Sequence, residues 1–148
     1  MNHALVIVVV VTLAIAGCSK RSNEERRPTS SLHKATAYAV ALHAAAAIKA
    51  EVYDVTETHS MEPILFGNIY VLAEPVRIAQ VKVGDIILWR KTPGQIPRLH
   101  QVYSNTGIRL GVAGANNFSN DNSLTYFITD EDLVGRYVGQ ILFDPATR

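Results

Sequence analysis

Ser60, His100 and the group Asn116, Asn117 and Asp121 are residue types from which a serine nucleophile can be assembled. A hydroxyl at its free pKa is a poor nucleophile, so it needs a base within hydrogen-bond reach and a third group to hold that base. Ser60 would supply the hydroxyl, His100 the imidazole and Asp121 the orienting acid. Each residue also has a plainer reading. The serine can bond local backbone at a strand end, the histidine can be a half-buried strand residue, and paired asparagines suit a left-handed turn.

The other candidates carry less chemistry. His59 adjoins Ser60, and neighbours on an extended backbone point to opposite faces, which makes it a surface or substrate-lining histidine. His33 and His43 fall too far apart along a helix axis to chelate one metal, and no cysteine-histidine cluster exists. No metal or cofactor is expected. Asp85 follows Gly84 in a turn, where an aspartate bonds local backbone. Trp89 and Arg90 read as barrel-surface residues.

Thr58-His59-Ser60-Met61-Glu62-Pro63-Ile64-Leu65, then Gly67-Asn68-Ile69-Tyr70-Val71, Val81-Lys82-Val83-Gly84-Asp85-Ile86-Ile87, Leu99-His100-Gln101-Val102 and Gly114-Ala115-Asn116-Asn117 with Asp121 form an ordered set. In that order they resemble the conserved boxes of the type I signal peptidase family, over residues from about 50 to 143. His100 stands where that family places its base, as in its histidine-using endoplasmic-reticulum and archaeal branch. The resemblance implies Ser60 as nucleophile, His100 as general base and Asp121 as the acid beside it. It also implies an oxyanion hole from Thr58 and the Ser60 N–H; loss of one such donor typically costs about 10² to 10³ in rate. Met61, Pro63 and Val55 flank the serine as candidate substrate-binding residues. The family usually has Gly-Asp at Gly67-Asn68, Arg at Gln101 and Asp at Ala115. Those departures permit an alternative: a catalytically inactive lipoprotein that uses the same barrel as a peptide-binding or scaffolding module. A related clan of self-cleaving repressors shares the fold but uses a lysine base, and Lys91 lies outside the matching box.

These residues need a β scaffold to position them. Val52 to Thr56 alternates, and Ile69 to Leu72, Ile86 to Trp89, Gln101 to Tyr103, Ile108 to Val112, Tyr126 to Ile128 and Tyr137 to Phe143 are short strand-like runs punctuated by Gly and Pro. The expected fold is mainly β, a small signal-peptidase-like barrel or sandwich over residues 50–148. The strand over 52–56 would present an edge to which an extended peptide or preprotein adds as a strand. Ahead of it, 32–49 reads as an Ala-rich helix capped by Ser31, with Tyr38, Leu42 and Ile48 available for packing.

Length and charge fit one small domain with an extension: 148 residues with a formal charge of +1. The Lys and Arg residues are scattered without interleaved aromatics, so no nucleic-acid partner is expected. A single cysteine rules out an internal disulfide framework. That cysteine, Cys18, ends the apolar run Ala4 to Gly17 in Ile15-Ala16-Gly17-Cys18, which resembles the lipobox of bacterial lipoproteins. Residues 1–18 therefore read as a signal peptide with lipidation at Cys18, the alternatives being an uncleaved membrane anchor or a plain secretory signal. Residues 19–31 form a polar linker. The expectation is a membrane-tethered serine endopeptidase of the cell envelope, touching membrane lipid at one end and peptide at the other.

Overall fold

A computed structural model describes residues 28–55, 59–117 and 126–147. One helix, α1 (Lys34–Ile48), precedes seven strands: β1 (Glu51–Val55), β2 (Ile69–Glu74), β3 (Ile86–Trp89), β4 (Arg98–Asn105), β5 (Leu110–Ala113), β6 (Tyr126–Ile128) and β7 (Leu133–Leu142). The strands form a single antiparallel sheet in the order β1-β2-β7-β3-β4-β5-β6. The chain is thus mainly β, as its alternating runs require.

The order matters more than the count. β1 and β2 are one hairpin unit, β3 to β6 a meander, and β7 lies between them, paired with β2 on one side and β3 on the other. Arg136 of β7 pins that junction by pairing with Glu74 of β2 and reaching Asp85 at 3.5 Å. β1 and β6 are left as the two edges.

Three apolar clusters hold the sheet. Ile87 and Trp89 of β3 enter one with Val102, Leu110, Val112 and Ile128, which Ile78 and Val81 cover. Leu88, between them in sequence, points the other way into a second cluster with Leu99, Val71, Met61 and Leu65, as the two-residue period of a strand dictates. The third cluster joins α1 to Tyr70, Leu72 and Phe143.

Helix α1 differs from its expected form in two respects. Its N-cap is His33, whose Nδ1 accepts from the Ala35 N–H at 3.2 Å, and not Ser31. Its buried residues are Ala37, Ala41 and Ala45; of the three larger residues expected to pack, Tyr38 lays its ring 5.2 Å from that of Tyr70, while Leu42 and Ile48 stay largely exposed. Small residues one turn apart let the helix lie close to the sheet, where Tyr70 and Phe143 already fill the space a larger side chain would need. Trp89 is likewise a core residue, 1% exposed, where a surface position was expected.

Candidate functional site

Ser60 lies in the connection between β1 and β2, in a turn rather than on extended backbone. The Glu62 N–H reaches the His59 carbonyl at 3.3 Å, and the Leu65 N–H reaches that of Met61 at 2.9 Å. The premise that put His59 and Ser60 on opposite faces of a strand therefore does not hold. Within the turn, residues three apart come together, and His59 Nδ1 meets Glu62 Oε1 at 3.1 Å. The Glu62-Pro63 peptide is cis.

This turn is fastened to the far half of the sheet. The Asn116 backbone N–H donates to the Ser60 carbonyl at 2.9 Å, and Asn116 Nδ2 donates to the His59 carbonyl at 3.2 Å. Ala115 beside it packs into the cluster that buries Met61 and Leu65. Two sequence boxes from different halves of the chain thus meet at the serine. The turn before β3 is joined to β4 in the same way: Gly84 N–H to Val102 carbonyl, Val102 N–H to Asp85 carbonyl, and Gln101 Nε2 to Gly84 carbonyl at 3.2 Å. Asp85 also accepts from the Lys82 N–H at 2.8 Å, the local structural role its turn position suggests. Asn68 takes a left-handed conformation with φ 62°, which asparagine tolerates better than most residues.

His100 sits in an aromatic box. It pairs across the ladder with Ile87, on the side of β3 and β4 that carries Trp89, whereas Leu88, Leu99 and Met61 belong to the opposite side. Its ring stacks on Tyr126 at 5.3 Å and lies 5.5 Å from Trp89. The Arg98 guanidinium covers both neighbouring rings. Burial, with help from the Arg98 charge, pushes the imidazole pKa down to about 4. The hydrogen-bond partner of Nδ1 is Trp89, whose indole N–H donates at 3.2 Å. An imidazole nitrogen that accepts carries no proton, so the neutral ring holds its proton on Nε2.

The remaining candidates are placed as follows. Met61 is fully buried and serves the core, Pro63 is exposed, and Val55 is half-buried against the same cluster as Met61. Lys91 gives its ammonium to Asp132 at 2.7 Å and to the Phe127 carbonyl at 2.9 Å. Thr58, Asp121 and Cys18 lie outside the described residues. Among the described residues no group of three or more His, Cys, Asp or Glu could hold a metal ion.

Sequence reasoning missed Trp89, Tyr126 and Arg98 around the histidine. A signal existed for the first: once Ile87 is opposite His100, Trp89 is its diagonal neighbour on the same face. The chain matches no protein-family model, and a search of curated proteins finds no match.

Proposed function

We propose that this protein is a serine endopeptidase with Ser60 as nucleophile, acting on extended peptide segments presented at the β1 edge, in a cell-envelope setting and with a signal-peptidase-like barrel. The supporting observation is the fastening of the Ser60 turn to Asn116. It holds the serine turn, in the connection between β1 and β2, against the segment that follows β5, and the outer edge of β1 has no strand beside it among the described residues. An extended peptide laid along that edge gains main-chain hydrogen bonds and carries its carbonyl past the serine. Ser60 Oγ attacks that carbonyl and gives up its proton to the base. The tetrahedral oxyanion collapses to an acyl-enzyme as the amine leaves with a proton, and water then releases the acid.

The resemblance assigns the base to His100. In that role Nδ1 gives up the Trp89 N–H in either case, to take the serine proton itself or to receive the ring proton from Nε2 so that Nε2 can accept. The depressed pKa keeps the ring neutral at ordinary pH but makes it a weak base. That cost favours a second reading, in which the barrel binds peptide at the β1 edge without hydrolysing it.

Ser60→Ala separates the two. Under the first reading the variant binds an extended peptide but neither cleaves it nor reacts with a serine-directed acylating probe, while the parent does both. A parent protein that binds the peptide and stays inert to the probe establishes the second reading.

A further inference from the structure

The face of α1 turned away from the sheet carries no Asp, Glu, Lys or Arg anywhere from Ala35 to Ile48. Tyr38, Val40, Leu42 and Ile48 are 45%, 43%, 46% and 50% exposed, and the positions between them are mostly exposed alanines. Thr36 and His43 are the polar residues on that face. A solvent-facing helix normally carries charge there, and a helix that is apolar all round is covered by something. The sheet covers the stripe of Ala37, Ala41 and Ala45, and Tyr70 meets the ring of Tyr38 at 5.2 Å, which leaves Val40, Leu42 and Ile48 as the large apolar side chains without cover among the described residues.

We infer that the outer face of α1 lies on an anionic lipid surface, parallel to it, and so sets the orientation of the whole domain at the membrane. This rests on the envelope reading above. The apolar run Ala4 to Gly17 and Cys18 come just before the helix, and residues 18–33 extend over at most about 50 Å, so α1 stays near whatever surface holds that segment. Charge agrees. Lys20, Arg21, Arg26, Arg27, Lys34 and Lys49 outnumber Glu24 and Glu25 between Cys18 and Ala50. The nearby carboxylate Asp54 is neutralised by Lys34 at 2.7 Å. Lys49 closes the uncharged face at the C-terminal end of the helix, where an ammonium on a long apolar stem suits headgroup contact beside apolar contact. The helix is about 22 Å long and docked on the sheet, so it lies in the interface and does not span it.

The test places single tryptophans in the full chain, by Val40→Trp and Leu42→Trp, with Val83→Trp and Ile96→Trp as controls on exposed turns. Trp89 is buried and gives a constant background. The proteins are reconstituted with vesicles of phosphatidylcholine and phosphatidylglycerol carrying brominated acyl chains, then floated. Expected is strong bromine quenching at 40 and 42, little at 83 and 96, and weaker quenching at 40 and 42 when phosphatidylglycerol is omitted. Flotation with quenching at 40 and 42 no greater than at 83 and 96 overturns the helix docking and leaves the tether standing. Protection of 40 and 42 from both bromine and aqueous acrylamide overturns it in favour of a second protein copy. Failure to float overturns the envelope reading and this inference together.

Discussion

His100 is the residue on which two kinds of pH dependence turn. Its pKa is lowered to about 4 in the folded chain, against about 6.5 for an ordinary imidazole. Above pH 6.5 both states are neutral. Between 6.5 and 4 the unfolded chain takes up a proton that the folded chain refuses, so stability falls with pH by a total on the order of 3 kcal/mol. Urea midpoints at pH 7, 5 and 4 should show this loss in the parent and a clearly smaller one in His100→Leu. Equal losses in the two would assign the acid sensitivity elsewhere. Catalysis follows the same pKa: if His100 is the base, kcat/KM stays level as pH drops through 6.5 and declines only near 4. A limb at about 6 to 7 would show that His100 in its buried setting is not the base. Asn116 acts at the same scale through geometry. Asn116→Ala keeps the backbone bond to Ser60 but loses the one to the His59 carbonyl, and if Ser60 is the nucleophile, kcat/KM should fall by about tenfold with melting almost unchanged. An Asn116→Ala enzyme as fast as the parent would show that this side chain does not position the serine.

At the scale of elements, β7 meets neighbouring backbone closely at one glycine and not at another. A Cβ on Gly135 would lie 2.9 Å from the Glu74 carbonyl oxygen and 3.3 Å from the Ala73 side chain, both on neighbouring β2. Gly139, on the same strand, would meet nothing closer than a Leu72 methyl at 3.8 Å. Gly135→Ala should therefore cost about 1 to 3 kcal/mol and Gly139→Ala much less, read as the shift in the urea midpoint. The seven strands were legible in the sequence because each is a short apolar or alternating run closed by turn residues, and those signals are local. The helix was legible as a helix, but its buried face was not. Alanines 37, 41 and 45 are buried because of what β2 and the end of β7 present to them, and no property of the helix itself says so. The site divides along the same line. Its residue types stood out at once, yet the meeting of Ser60 with Asn116 and of His100 with Trp89 depends on strand order and register, which couple residues far apart in the chain.

The whole molecule joins this domain to an N-terminal segment with a single cysteine. If Ile15 to Cys18 is processed as a lipobox, metabolic labelling with a fatty-acid analogue should mark the parent and not Cys18→Ala, and the variant should accumulate at precursor size. An unlabelled parent would leave the uncleaved anchor or a plain secretory signal.

The insertion of β7 between β2 and β3 also sets a timetable for synthesis. The hairpin that carries Ser60 is made first and the meander that carries His100 and Asn116 second. Among the described residues, no strand of the first pairs with any strand of the second except through residues 133–142. Until those residues are made, the Ser60 turn and Asn116 belong to two units joined through residues 75–85, and bringing them together costs closure entropy. The sheet that carries both the serine turn and Asn116 is continuous only once the last strand has been made. If Ser60 is the nucleophile proposed above, a growing chain completes the scaffold around it only when residues 133–142 have been made.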